Sequence, residues 1–150
     1  MFGRSVREKT QVSLTVAAVG SVAAAGVPSV GDEMPDGTIF AGISPETNKP
    51  MYAMTTDEPA MPWDKAMRIA QERGTCGHSD WHIATQKELC VLFNNRADIG
   101  GFNTSGDLFK GWYWASSETS ESVAGVLRFS DGKPSIRTKD MSFPVRLIRS

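Results

Sequence analysis

Two histidines and two cysteines are the side chains of this chain best suited to metal or redox chemistry. His78 and His82 are four residues apart, a spacing that places two ligands on one face only if the segment is helical. Gly77 and the polar residues around it disfavour a helix here. The pattern therefore argues against a metal site, and we expect no cofactor.

Cys76 and Cys90 lie fourteen residues apart, without the CxxC or Cys/His cluster that is typical of zinc sites. In an oxidising compartment the pair could form one disulfide; otherwise both are structural thiols. The sequence also shows no Ser-His-Asp set and no carboxylate pair with a plausible pocket. We therefore predict that the protein is not an enzyme.

Nucleotides and nucleic acids are disfavoured as partners. The glycine-rich residues 100–107 lack the lysine of a phosphate-binding loop, and they follow a helix instead of leading from a strand into one. The net charge is −1, from 16 basic and 17 acidic residues, which leaves no electrostatic footprint for nucleic acid or an anionic membrane.

Residues 111–118 (GWYWASSE) hold two of the four tryptophans and form the stretch around which we expect the domain to be built. At the period of a β-strand, Trp112 and Trp114 point to one face and Tyr113 to the other. Large aromatic side chains bury about 150–250 Å² each. Trp114 is therefore predicted to lie in the core.

The elements that must position this strand come first as a hairpin and two helices. Residues 38–43 and 51–54 have strand character on either side of a proline-containing loop. A helix is predicted to begin at Pro62 and to end at Gly74, which we expect to be its C-cap. Residues 85–88 (TQKE) form a capping-box pattern that predicts a second helix.

The last fifty residues predict antiparallel strands at residues 111–118, 123–129, 134–137 and 143–149. The turn at residues 130–133 (SDGK) joins two of them, because its glycine accepts a positive φ. Fourteen glycines and eight prolines fit short strands better than long helices. The predicted fold class is α+β, with two helices and an antiparallel β-meander.

Residues 11–16, at the start of a small apolar run near the N-terminus, favour an extended arm. Val12, Leu14 and Val16 alternate with polar residues, as in a strand, but alone this strand has nothing to bury its face against. Pairing with a neighbouring subunit would satisfy both its backbone and its apolar side. We predict an arm and linker at residues 1–33, a domain at 34–150 and a homo-oligomer.

A secretory signal peptide is the alternative for the same segment. The basic residues near the N-terminus, the small apolar run and the alanines at 23–25 resemble such a signal, which would be removed from residues 1–25. The run is too short and too diluted by polar residues to span a membrane.

Several short motifs occur in an order that resembles the DUF1566 family, over about residues 34–150. Members typically show a Trp-Arg-Leu-Pro-Thr strand, a Tyr-Trp-Ser-Ser-Ser strand and a Val-Arg-X-Val-Arg end. The matching stretches are residues 81–85 leading into 88–89, 95–96, 99–103, 111–118, 129–132 and 145–149. The family is similar to C-type lectin-like folds, which formylglycine-generating enzymes and variable receptor-binding proteins also use. Such members are found among bacterial surface adhesins and phage-encoded proteins.

The departures from the pattern limit what the resemblance implies. His82 and Ala84 replace the family arginine and proline. The Glu-Pro-Asn or Gln-Pro-Asp and Trp-Asn-Asp motifs of calcium-dependent lectins do not occur, so calcium-dependent sugar binding is not implied. Formylglycine-generating enzymes need a cysteine pair in a late loop, whereas Cys76 and Cys90 come early. An oxidase-like enzyme using these cysteines is the weakest alternative.

The resemblance implies a ligand-binding surface made by the irregular loops between the late strands. Carried onto this sequence, it implicates Phe109 and the loops 118–122 and 137–142, with the aromatic side chains of residues 112 and 113 as ligand contacts. The candidate ligand-binding residues are Lys110, Trp112, Tyr113, Glu118, Glu121, Arg137 and Lys139. The alternative is that these are core residues and ordinary solvated loops.

Arm and resemblance together predict a non-enzymatic virion or surface structural protein that displays a lectin-like binding domain. Phage decoration and receptor binding at a tail fibre both fit this description. Its expected partners are other subunits, through the arm, and a host-surface glycan or protein. The alternative is a secreted or periplasmic bacterial adhesin with a cleaved signal peptide.

Overall fold

The computed structural model describes residues 26–150. The predicted arm residues Val12, Leu14 and Val16, and the candidate signal segment 1–25, lie outside the described residues. The elements are β1 (Ile39–Ile43), β2 (Pro50–Ala53), β3 (Glu58–Met61), α1 (Trp63–Glu72), β4 (His82–Ile83), α2 (Gln86–Asn94), α3 (Arg96–Ile99), β5 (Trp112–Glu118), β6 (Val123–Arg128), β7 (Pro134–Thr138), β8 (Phe143–Val145) and β9 (Leu147–Arg149).

Three antiparallel sheets accompany these helices, so the predicted mixture of helix and antiparallel strands is confirmed. The strand orders are β1-β2-β9-β4, β3-β8 and β5-β6-β7. The last strand, expected to be continuous, is divided: β8 pairs with β3, and β9 pairs with β2 and β4. The chain changes sheet at Arg146, whose side chain is fully buried.

The helices begin where the sequence places them. Thr85 closes the capping box of α2, because its Oγ1 accepts from Glu88 N at 3.2 Å and its own N–H donates to Glu88 Oε1 at 3.0 Å. Helix α1 follows Pro62 and buries its apolar stripe. Its C-cap is Arg73, one residue before the predicted Gly74.

The core lies on both faces of β5. Trp112 and Trp114 belong to one apolar cluster and Tyr113 to the other, as the period of two predicts. Trp114 Nε1 donates to Met61 O at 2.9 Å, and Trp63 Nε1 donates to Ala115 O at 2.9 Å. These bonds join α1 and β3 to β5 while satisfying the indole N–H groups.

The segment before β1 was expected to be a linker, but the structure packs it against the domain. Gly31 N donates to Phe40 O and Phe40 N donates to Asp32 O, both at 2.9 Å, and Glu33 bridges to Ile39. This pairing covers the outer edge of β1. Among residues 26–150, no helix has the length and apolar character needed to cross a bilayer.

Candidate functional site

The two loops expected to face a ligand meet beside the N-terminus of α1. Together they border an open cleft of about 550 Å³. We refer to it below as the α1 cleft. Its lining residues are Pro62, Asp64, Glu121, Ser122, Thr138, Lys139 and Asp140.

Lys139 joins the parts of the α1 cleft. Its Nζ donates to the Glu118 carboxylate and to Glu121 O, the latter at 2.9 Å, and lies 4.2 Å from the centroid of the Trp63 ring. Its backbone N–H donates to Ser122 O at 2.9 Å, and its carbonyl accepts from Trp63 N at 3.0 Å. Only 9% of the surface of Lys139 is exposed, so its contacts hold the two loops and the start of α1 together from inside the domain.

Carboxylates dominate the rim of the α1 cleft. Asp64, Glu121 and Asp140 border it, and none of them forms an ion pair with another residue in the part of the chain described. The charge of Lys139 is already opposed by Glu118. Asp64 also lies in the first turn of α1, where a negative charge complements the helix dipole.

A buried polar network lies apart from the α1 cleft. Arg146 Nε donates to Asp57 Oδ1 at 2.8 Å, and Tyr113 Oη donates to the other oxygen of that carboxylate. Arg146 Nη1 also donates to Gly100 O at 3.0 Å, while Asn103 N donates to Tyr113 Oη at 2.7 Å. The network therefore ties the loops around residues 57 and 100–103 to β5 and the β8–β9 junction.

Burial dominates the titration of this network. It raises the pKa of the Asp57 carboxyl, while the Arg146 charge and the Tyr113 hydrogen bond act in the opposite direction. Burial and the bond to Asp57 also raise the pKa of the Tyr113 phenol. Because its charges are paired internally, the network has the character of a structural support.

Comparison with protein families places the chain. The family model described as the Lcl C-terminal domain matches residues 41–149, from β1 to the end of β9. The chain belongs to the Lcl C-terminal domain family. This is the DUF1566-type family that the sequence motifs resemble, so the resemblance is confirmed at the level of the family. No curated protein matches the chain.

In this Lcl C-terminal domain the two aromatic candidates lie in the core. Trp112 is 4% exposed and Tyr113 is fully buried, so the prediction that they contact a ligand is not what the structure shows. The guanidinium carbons of Arg128 and Arg137 lie 5.2 and 4.8 Å from the Trp112 ring centroid. Both faces of β5 are covered, because α1 and the later strands pack on one side and α2 on the other.

Arg137 and Lys110 lie away from the lining of the α1 cleft. Arg137 Nη1 donates to Ser135 Oγ and, at 2.8 Å, to Ile136 O. Lys110 is exposed on the preceding loop, beside Phe109, which is 56% exposed. Of the predicted ligand-binding residues, Glu118, Glu121 and Lys139 meet at the α1 cleft, whereas Arg137 packs on Trp112.

The cysteines and histidines, which are the residues best suited to metal or redox chemistry, are scattered over the Lcl C-terminal domain. Cys76 is a half-buried free thiol and Cys90 an exposed one, which is the second of the two alternatives that the sequence leaves open. His78 Nε2 lies 2.7 Å from Asp36 Oδ2, and His82 Nδ1 lies 3.2 Å from a backbone carbonyl. Within residues 26–150, no three or more His, Cys, Asp or Glu residues are grouped to hold a metal ion.

Proposed function

We propose that this Lcl C-terminal domain is a non-enzymatic binding domain of a virion or surface structural protein, and that it meets its ligand at the α1 cleft. The observation that carries the proposal is the meeting of the loops 118–122 and 137–142. Both were expected to face a ligand, and both border one open cleft of about 550 Å³. Clefts of this size are typical of small-ligand and side-chain binding sites.

Lys139 is better suited to shaping the α1 cleft for binding than to taking part in catalysis. The amine of Lys139 is held by Glu118 and by the carbonyl of Glu121, so it is engaged before a substrate could arrive. A general base or nucleophile needs a free lone pair within reach of the reacting atom. An ammonium group held in this way instead gives the cleft a lining that is ordered before the ligand binds, which lowers the entropic cost of binding.

We also propose that the domain has a C-type lectin-like fold. The family resemblance supports this, as do the few short helices, the antiparallel strands and the pairing of both β1 and β9 with β2. A crystal structure superposed on lectin-like domains provides the test. A different order of strands around β5 would rule the fold out.

The setting we propose is a virion, with the first residues serving as an assembly arm and the domain displayed outward as a decoration or receptor-binding component. The resemblance to phage-encoded proteins and the alternation at Val12, Leu14 and Val16 support it. The second candidate is a secreted or periplasmic adhesin. It is favoured by the small apolar run before residue 26, which resembles a cleavable signal.

Ligand binding at the α1 cleft can be tested on the full chain with a glycan array and with purified host-surface fractions. The double variant Glu121→Lys, Asp140→Lys reverses two exposed rim charges and should weaken binding by on the order of tenfold. Glu46→Lys is the matched control, because this exposed glutamate lies in the β1–β2 loop outside the cleft lining. Equal binding by all three proteins would mean that the ligand site lies elsewhere.

A further inference from the structure

The outer edge of β7 carries two backbone N–H groups without an acceptor among residues 26–150. Its ladder with β6 is flanked by bonds from Arg128 N to Lys133 O and from Lys139 N to Ser122 O, both 2.9 Å. Because antiparallel bonding alternates, the backbone groups of Ile136 and Thr138 point away from β6. β7 is the last strand of its sheet, and within residues 26–150 neither of these two N–H groups has an acceptor on the outer side.

An uncharged groove of about 420 Å³ lies on the face of the sheet β5-β6-β7 and extends as far as Ile136. Its lining residues are Gln86, Ser117, Thr119, Gly125, Pro134, Ser135 and Ile136. Ile136 is 53% exposed. Natural edge strands are usually blunted by charge or proline. Here Pro134, the Arg137 bond to Ile136 O and the 3.1 Å bond from Met141 N to Thr138 O protect part of the edge. The opening is limited to the N–H groups of Ile136 and Thr138.

A segment of the same chain has the complementary chemistry. Residues 11–16 (QVSLTV) alternate polar and apolar side chains, and residues 10–25 contain no charged residue. Such a strand needs a partner for its backbone and a surface for its apolar face. The β7 edge supplies free N–H groups and an exposed isoleucine, and the lining of the adjoining groove contains no charged residue.

The segment is long enough to reach such an edge. Nine residues separate Val16 from Gly26, where the described chain begins. When extended they span roughly 30 Å, about the diameter of a small domain. Val27 is 71% exposed, so the chain leaves the domain surface at this end. Residues 11–16 can therefore reach the surface of a neighbouring molecule.

We propose that residues 11–16 of one chain add as a strand to the outer edge of β7 in a second copy, with the apolar side chains of residues 12, 14 and 16 toward Ile136. This rests on the assembly role that the proposed function gives to the arm, and it names the surface that receives it. The contact is heterologous, since one copy donates a strand and the next accepts it.

The test uses the full chain and measures molar mass by light scattering together with hydrogen exchange at the amides of Ile136 and Thr138. The wild type should form oligomers, and both amides should exchange roughly tenfold more slowly than in Leu14→Asp. Ser13→Asp is the matched control, because its charge lies on the opposite face of the strand, and it should behave like the wild type. Identical exchange in all three proteins would overturn the proposal, as would slow exchange in a monomer.

A second pair of variants tests the receiving edge. Ile136→Lys should give monomers, whereas Ile43→Lys, at an isoleucine that is 50% exposed on β1, should leave the oligomer intact. An oligomer that survives Ile136→Lys would contradict the assignment of the edge. Binding at the α1 cleft is measured separately through Glu121→Lys, Asp140→Lys, so failure of the arm and failure of the proposed ligand site give different results.

Discussion

Gly101 allows the buried guanidinium of Arg146 to lie where it does. A Cβ at this position would be 2.8 Å from Arg146 Nη2 and 2.8 Å from Thr55 O. The backbone there is also left-handed, with a φ of +82°, which glycine adopts without a steric penalty. Nη2 itself is buried without a hydrogen-bond partner among the described residues, so its packing is tight and has no polar compensation.

We predict that Gly101→Ala destabilises the domain more than Gly77→Ala. Gly77 has a similar φ, +76°, but a Cβ there meets no atom within 4 Å. Both variants place a side chain on backbone with a positive φ, at a cost on the order of 1–3 kcal/mol. Only Gly101→Ala adds the displacement of the guanidinium, roughly a further 1–3 kcal/mol.

Urea unfolding of the two variants measures the difference. Gly77→Ala is the control for backbone strain, and the wild type sets the reference. Equal free energies of unfolding for the two variants would show that Arg146 relaxes freely, in contradiction to the close packing around it.

Helix α2 illustrates how local signals and distant contacts combine in one element. The capping box joins Thr85 and Glu88 within four residues, and it could be predicted from the sequence because both partners are near in the chain. The second oxygen of the same carboxylate, Glu88 Oε2, accepts from Ser44 Oγ at 2.6 Å. That bond spans 44 residues, and no sequence periodicity indicates it.

Thr85→Ala should lower the free energy of unfolding by about 1 kcal/mol. The substitution removes the oxygen that accepts from Glu88 N at the start of α2. The matched control is Thr104→Ala, at an exposed loop residue. Circular dichroism during thermal unfolding checks both variants, and an unchanged midpoint for Thr85→Ala would mean that Glu88 holds the helix start alone.

For the aromatic side chains of β5, the sequence correctly predicts to which face each one points, but not whether it is exposed to solvent. The period of two correctly places Trp112 opposite Tyr113, because alternation is a property of the strand itself. Which faces are covered depends on α1 and β8, which come from distant parts of the chain. The Asp57–Arg146 pair escaped prediction for the same reason, since its members are 89 residues apart and Asp57 lies in a loop.

At the scale of the whole molecule, the order of elements could be predicted, but the division into sheets could not. The sequence indicates a meander of late strands, and β5, β6 and β7 do form one sheet in order. β8 and β9 instead join strands from the first half of the chain. Such pairings depend on where the whole chain packs, which local propensity does not encode.

The native N-terminus distinguishes the two proposed settings. For the virion protein, N-terminal sequencing of native material should give Met1 or Phe2, because the arm is retained in the assembly. An adhesin with a cleaved signal would begin near residue 26. The control is recombinant full-length protein, which establishes whether proteolysis during purification removes the segment. A processed native chain would contradict the virion setting while leaving the α1 cleft untouched.

The sheet β1-β2-β9-β4 brings the first and the last strand of the domain close together. Ile39 and Ile148 lie on either side of Ala53, one strand spacing away in each direction, so their backbones are about 10 Å apart. A unit with such neighbouring ends can be spliced into a surface turn of an unrelated host protein without prying that turn open. The domain is therefore suited to insertion into a loop of another protein as well as to fusion at a chain terminus.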